Sequence, residues 1–387
     1  MSVFADLVGQ DEVVEQLTAA VAAAADGGAG MTHAWLFTGP PGSGRSNAAR
    51  AFAAALQCPD RGCGQCETCR QALGGTHPDV AVIVPEGLHL KIDEAREVIA
   101  RSSRAPTRGR WQVTLIEDAD RMEERTSNTL LKAVEEPPPH SVLLLCAPSV
   151  EDLLPTIRSR CRLVALRTPP SAAVARVLVE RDGVDPAMAA FAARAAQGHI
   201  GRARRLATDE SARTERSHVL ALPRLLGSVG SALVAAKDLV DAAKAESDEL
   251  AGSRDAGERE ALSTALGGGA TGKGYAGGAP KGGAGALKEL EKRQKSRGTR
   301  TQRDALDRAL VDLAAFYRDV LALQLGAGAT AVHADLSEQA ATIARGSTAE
   351  QTLRRIDAVL ACRVAIDANV APLLAAEAMA LTLRSGG

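Results

Sequence analysis

Aromatic side chains are scarce: two Trp, two Tyr and five Phe in 387 residues. The cores must therefore be built mainly from Ala, Leu and Val, a composition that favours helices. Charge of one sign is lacking too. The formal net charge is −1, which excludes a chain that coats nucleic acid through its global charge and leaves only local surfaces for such contact. No uncharged apolar run is long enough for a membrane span. The N-terminus has no basic segment followed by an apolar core, so no secretory signal is expected. A cytoplasmic protein with no membrane partner is the expectation. Cysteine is limited to seven residues, and in a reducing compartment these point to metal or buried thiols before disulfides.

What is present begins with a phosphate loop. Gly39-Pro40-Pro41-Gly42-Ser43-Gly44-Arg45-Ser46 follows the apolar run Ala34-Trp35-Leu36-Phe37 and opens into a helical pattern over 46–57. Strand, glycine-rich turn and helix form the setting in which backbone N–H groups and a helix N-terminus cradle phosphates. The pattern G-x-x-x-x-G-K-[ST] calls for lysine, and this chain has Arg45. Gly39, Gly42, Gly44, Arg45 and Ser46 are thus candidate nucleotide-binding residues of a degenerate loop, with ATP or ADP as the candidate ligand.

Before the loop, 11–25 reads as a helix with Asp11 as a possible cap. After it, Cys58, Cys63, Cys66 and Cys69 lie within twelve residues on Gly-containing turns. Four thiolates so spaced suit tetrahedral zinc, and a quartet filled by protein leaves no open position, as in a structural site. Unligated thiols or a disulfide pair are the alternatives. His77 stands beside Pro78 with no obvious acidic partner and reads as a loop residue. Further strands are expected at 80–84, 111–116, 142–146 and 163–166, and helices at 92–99, 126–136 and 153–158. Cys146, within a buried run, is a core residue. Glu117 and Asp118 close the strand at 111–116, where a magnesium-water ligand and a general base would sit beside a phosphate loop. On consecutive strand positions they should point to opposite faces.

This alternation predicts an α/β P-loop module with a parallel sheet covered by helices. It spans 1–167, with the cysteine module at 58–69. A helical lid follows at 168–210, where Arg202, Arg204 and Arg205 read as a solvated basic face. An all-α unit is expected over 215–387, with helices at 302–324, 334–346 and 352–383, the last broken near Asn369 and Pro372. It is interrupted by a flexible Gly-rich insertion at about 267–286. The basic run 288–303 is either a solvated helix face or a nucleic-acid contact.

Together these pieces resemble the clamp-loader subunits of bacterial DNA polymerase III, in the AAA+ superfamily. The segment 4–10 resembles the family's opening box, which borders the adenine pocket. The segment 33–39 resembles the strand leading to the loop, and the cysteines match the family's inserted zinc module. Asn128 to Pro138 resembles its helix signature, and Ser159-Arg160-Cys161 its Ser-Arg-Cys motif. The resemblance implies an AAA+ module, a lid and a collar that holds a pentamer together. The partners implied are motor (gamma/tau) and delta subunits, the sliding clamp indirectly, and primed DNA within the complex. Arg160 would be an arginine finger donated to a neighbour's ATP site. The motor subunits carry lysine in the loop, Asp-Glu at the strand end, Thr at the first sensor position and arginine at the second. Here Arg45, Glu117-Asp118, Pro148 and Gly201 stand at those places, which implies the delta' type, with little or no ATP hydrolysis of its own. An active motor ATPase and a zinc-dependent nucleic-acid-binding scaffold are the alternatives.

Overall fold

The computed structural model describes residues 2–28, 30–265 and 283–386. They form two compact units, Met1–Thr208 and Asp209–Gly387. Among the described residues no helix is long and apolar enough to cross a membrane.

In the first unit the chain runs α1 (Asp11–Asp26), β1 (Ala34–Thr38), α2 (Arg45–Gln57), α3 (Glu67–Leu73), β2 (Val80–Ile83), α4 (Ile92–Ser102) and β3 (Gln112–Ile116). It continues through α5 (Glu124–Glu135), β4 (Ser141–Ala147), α6 (Pro155–Arg158), β5 (Arg162–Ala165), α7 (Ser171–Glu180), α8 (Pro186–Ala195) and α9 (Ile200–Thr208). The five strands form one sheet in the order β2-β3-β4-β1-β5. Every neighbouring pair is parallel. This is the expected P-loop module, and α7–α9, the segment expected to form a separate lid, lies within the same compact unit.

The sheet forms because its central strands are apolar on both faces. All residues of β1, β3 and β4 are buried, as a parallel sheet covered by helices requires. Trp35 and Phe37 point to one side and join Phe52 and the alanines of α2 in a core; the Trp35 and Phe52 rings meet edge to face at 4.8 Å. Leu36, Leu143, Leu145 and Ile116 point to the other side, onto Leu130 and Val134 of α5. The small side chains of α2 let that helix lie close against the sheet, which fixes where its N-terminus, and so the phosphate loop, must be.

The expected cap of α1 is displaced. The N-cap is Gln10, not Asp11, and it makes no side-chain cap bond. Asp11 sits in the first turn instead, where its charge favours the helix dipole. The Gln10 amide is used elsewhere: it donates to Arg167 O at 2.6 Å and Ser43 O at 3.3 Å and accepts from Arg167 N.

The second unit is α10 (Glu210–Leu225), α11 (Val229–Ala265), α12 (Gly283–Gln324), α13 (Ser337–Gly346), α14 (Ala349–Asp367) and α15 (Pro372–Ser385). Its core gathers Leu306, Leu310, Leu313, Phe316 and Val320 of α12 with partners from the other helices. The expected start of a helix at 302 is corrected: α12 begins at Gly283 and carries the basic run 288–303. Residues 267–282 of the expected Gly-rich insertion lie outside the described residues, and its last four open α12. The extension is held by polar seams rather than apolar burial. Arg297 pairs with Asp255 at 2.5 Å and Glu258 at 2.6 Å, and Ser247 donates to Gly298 O at 3.0 Å.

Candidate functional site

The phosphate loop leaves the C-terminal end of β1 and returns into α2. Gly44 is the N-cap, in the left-handed region, with no side-chain cap. The free N–H groups of the first helical turn therefore face the loop. Gly42, at φ 88°, lies against the lid: a Cβ there would come within 2.5 Å of His199 Cβ, so the close approach of loop and lid turn requires glycine. A cavity of about 280 Å³ remains. It is lined by Asp6, Leu7 and Val8, by residues 41–47, and by Pro169 and residues 199–201. The opening segment and the lid thus flank the loop, as the resemblance implies. Gly201, which the resemblance puts at the second-sensor position, lines this cavity and brings no side chain. Pro148, which the resemblance puts at the first-sensor position, offers only its carbonyl, which accepts from Gly39 N at 3.1 Å.

Arg45 folds back into the loop rather than standing free. Its Nη1 donates to Gly39 O at 2.9 Å and its Nη2 to Asp118 Oδ1 at 3.3 Å. One and a half turns along α2, Arg50 closes on Glu117, with Nη2 at 2.8 Å and Nε at 2.9 Å from the same oxygen, Oε1. The two carboxylates do not diverge to opposite faces as consecutive strand residues would. The strand ends at Ile116, and Asp118 takes a left-handed conformation at φ 50°, which swings its side chain to the same helix that Glu117 meets. Behind the loop, burial pushes the Cys146 thiol up. Cys146 is a core residue, as expected.

These contacts decide whether a magnesium ion fits. At a working phosphate loop the ion is held by the loop hydroxyl and a strand-end carboxylate. Here both carboxylates have guanidinium partners, with Arg45 and Glu117 side chains only 13% and 16% exposed. The residues do not fit a divalent cation. The loop can still cradle phosphate through backbone N–H groups, but the groups that activate water and neutralise a leaving phosphate are engaged.

Arg160 lies elsewhere. It precedes β5, which runs parallel to β1 with Arg162 opposite Trp35. The loop follows β1, so Arg160 sits at the other edge of the sheet, roughly 15 Å away along the strands. Its side chain is 41% exposed. Nη2 pairs with Glu135 Oε1 at 2.9 Å and Nη1 donates to Thr156 O at 2.8 Å. The local acids that spacing suggests as partners, Glu151 and Asp152, are bonded to Ser149 instead.

Cys58, Cys63, Cys66 and Cys69 converge, with all four sulfurs within 4.8 Å of one another. Cys58 Sγ is 3.7 Å from both Cys63 Sγ and Cys66 Sγ. A tetrahedron with metal–sulfur bonds of about 2.3 Å has edges of about 3.8 Å, so the donor set fits a metal ion. Gly62, at φ 101°, makes the turn that Val3 packs against. Backbone N–H groups point at the sulfurs, Cys66 N at Cys63 Sγ and Cys69 N at Cys66 Sγ, each 3.4 Å. The N–H groups of Gln65 and Cys66 bring Cys63 down to about 6, a thiolate ready for a cation. Burial pushes Cys69 up, so in that pocket a positive ion is what would keep it ionised.

His77 is buried, and its Nδ1 accepts from Asp79 N at 3.1 Å, a structural role consistent with a loop residue. The basic start of α9 is not simply solvated, since Arg204 pairs with Asp182 at 2.8 Å. Sequence reasoning missed Arg50, Glu135 and His199. Two arginines at the start of the loop helix, facing two carboxylates at a strand end, are the signal that was available for Arg50.

The family described as DNA polymerase III, delta subunit, matches residues 9–170. The DNA polymerase III subunit gamma/tau of Mycobacterium tuberculosis is 34% identical over 189 residues, covering 47% of this chain and 32% of that protein. The delta' subunit of Pseudomonas aeruginosa is 37% identical over 153 residues, covering 38% and 47%. That of Bacillus subtilis is 30% identical over 199 residues, covering 51% and 60%. The aligned part of this chain thus spans between a third and three fifths of the length of these relatives. A crystal structure of a gamma subunit-related protein of DNA polymerase III from Thermotoga maritima aligns with 96% of this chain and 99% of its own, at 16% identity and a TM-score of 0.41. Over the matched residues the chain is thus similar to both delta' and gamma/tau subunits of DNA polymerase III.

Proposed function

We propose that this chain is the delta'-type subunit of a bacterial clamp loader. It works beside motor (gamma/tau) and delta subunits to open a sliding clamp and place it on primed DNA. It hydrolyses little or no ATP itself and donates Arg160 to a neighbour's site. A fixed positive charge near a γ-phosphate stabilises the transition state, by roughly 10³–10⁵ in rate where such fingers are known.

The observation that carries this division of labour is the placement of Arg160. It is exposed and lies at the sheet edge opposite its own loop, so a phosphate it reaches belongs to another chain. The loop supports the same reading from the other side. Arg45 and Arg50 occupy the carboxylates that a hydrolytic site needs, which weighs against a motor ATPase despite the gamma/tau relatives.

The cysteine quartet is the structural zinc site of this reading. The helical unit is the collar. Leu353, Leu360 and Val364 recur on one face of α14, and Leu374 and Leu381 on α15, all exposed. A groove of about 600 Å³ lined by Ala358, Ala361, Cys362, Ala365, Ala375 and Met379 runs between these helices. Neighbouring collar helices would cover these apolar faces.

The test is turnover by the purified chain with ATP, clamp and primed DNA, alone and after assembly with motor and delta subunits. Turnover should appear only on assembly. Robust turnover by the chain alone would return it to the motor class.

A further inference from the structure

Residues 288–303 of α12 carry seven basic side chains against two acidic ones, Glu289 and Glu291. The fold sorts the basic ones by face. Gln294, Arg297 and Gly298 look onto α11. The Gln294 amide donates to Asp255 O at 3.0 Å, Arg297 pairs with Asp255 and Glu258, and Gly298 O accepts from the Ser247 hydroxyl. Arg300 is engaged by Asp304 at 3.6 Å. Lys288, Lys292 and Lys295 are different. All three are exposed, and their ammonium groups have no hydrogen bond or ion pair among the described residues. Their i, i+4, i+7 spacing stacks them on one face. At 3.6 residues per turn that face lies roughly 140° round the helix from the α11 seam.

The stripe is a ladder of free positive charge. Lys288 and Lys295 are about 10.5 Å apart along the helix axis, a span of about three phosphate steps on one strand of a duplex. The acids of α11 that face α12 here, Asp255 and Glu258, are neutralised by Arg297. Glu289 and Glu291 flank the stripe, and neither pairs with a lysine of it. The next residue of the same face is Thr299, and no apolar or aromatic side chain lies on it between Lys288 and Thr299. A helix lying on a membrane needs an apolar face, and a protein partner needs aromatic or aliphatic anchors at the centre of its interface. This face offers neither. Lysine is a compact point charge that suits phosphate oxygens and reads no base pattern by itself.

We propose that Lys288, Lys292 and Lys295 form a sequence-independent contact for the phosphodiester backbone of duplex DNA. The polar seam with α11 fixes the rotation of α12, so the three lysines face outward together before DNA arrives. The contact adds to the proposed function a DNA surface on this chain itself. It does not depend on Arg160 or on the phosphate loop, and it is measured on the chain alone, so its failure and that of the proposed function are distinguishable.

The test is fluorescence anisotropy of a labelled duplex of about 20 base pairs titrated with the whole chain, from about 25 to 200 mM salt. Three phosphate contacts give a slope of log K against log salt of about −3, so affinity should fall roughly 40-fold between about 50 and 200 mM. Replacing the three lysines together, Lys288→Gln, Lys292→Gln and Lys295→Gln, should make the slope shallower by about three, one for each lysine. The thermal melt should not move, because these side chains hold nothing. Lys288→Arg, Lys292→Arg and Lys295→Arg together keep the charge and should keep the slope. Lys244→Gln, an exposed lysine of α11 away from the stripe, should leave it within about 0.3. No binding of the wild type at about 25 mM salt overturns the proposal. So does a slope that changes by less than about one in the triple Gln variant, or that changes as much in Lys244→Gln. Displacement of the duplex by polyglutamate at equal charge concentration would assign the stripe to an acidic protein, and preferential sedimentation with phosphatidylglycerol vesicles would assign it to a membrane. Either result contradicts a DNA contact.

Discussion

Arg160 Nη2 lies 2.9 Å from Glu135 Oε1, an ion pair across the N-terminal edge of the sheet with both side chains more than 40% exposed. An exposed pair of this kind contributes under about 1 kcal/mol, so Glu135 can release the guanidinium at little cost. Glu135→Gln should leave the thermal melt of the chain nearly unchanged and leave ATPase of the assembled complex in place. Loss of complex ATPase with that variant would mean that Glu135, and not Arg160 alone, is required at the neighbour's site.

The cysteine quartet predicts about one zinc ion per chain. A Cys63→Ser, Cys66→Ser variant should be purified without it, and a strong chelator should lower the melting temperature of the wild type but not of the variant. Metal analysis and paired melts check this. Equal zinc in the two proteins would reject the site.

Asp79 makes a pH prediction. The residue is fully buried and accepts from Thr107 N, Arg108 N, Gly109 N and the Thr107 hydroxyl. Burial alone would push the carboxyl up, but these donors outweigh it and hold it at about 2. A folded-state value below the unfolded one gives stability that is complete above the unfolded carboxylate range, near 4, and lost as pH falls through about 2. The displacement corresponds to about 2 kcal/mol. The difference in unfolding free energy between wild type and Asp79→Asn should be of that order at pH 7 and should shrink between pH 5 and pH 2. A difference that does not vary with pH would contradict this role.

In the helical unit, the buried Arg216 grips Asp335 at 2.9 and 3.2 Å and reaches His333 Nδ1 at 2.7 Å. The arginine can only donate, so Nδ1 accepts, and the proton sits on Nε2, facing Asp312 O at 3.1 Å. Burial and then the Arg216 charge hold His333 below the ordinary histidine range. The unfolded chain therefore takes up this proton first. The contribution to stability is complete above about pH 6.5 and is lost as pH falls through the lower folded value. An NMR titration should find the His333 ring as the neutral Nε2–H form at pH 6.5. A ring half-protonated at or above that pH would contradict it.

Much of the fold was legible because apolar runs and helical spacing are local. The strands around Leu36, Leu115 and Leu144 are short apolar runs between turn signals, and such runs in α/β order leave few alternatives. The quartet was legible because its four thiols are close in sequence. The long-range pairs were not. Arg50 and Glu117 are 67 residues apart and meet only because the sheet sets the end of β3 beside α2. The left-handed turn at Asp118 was hidden as well, since nothing in Glu117-Asp118 marks where the strand stops. Gly283 and Gly285 argue for a loop by propensity, yet they open α12, a helix held further along by the Arg297 network. Tertiary pairing overrode the local signal there.

The most direct test of the central claim is the ATPase rate of a reconstituted complex of this chain with motor and delta subunits, carrying Arg160→Ala. Clamp and primed DNA are present, and assembly is checked by gel filtration. Turnover should fall by at least an order of magnitude with the complex intact. Turnover equal to that of the wild-type complex would show that Arg160 is not the finger and would remove the role assigned to this chain.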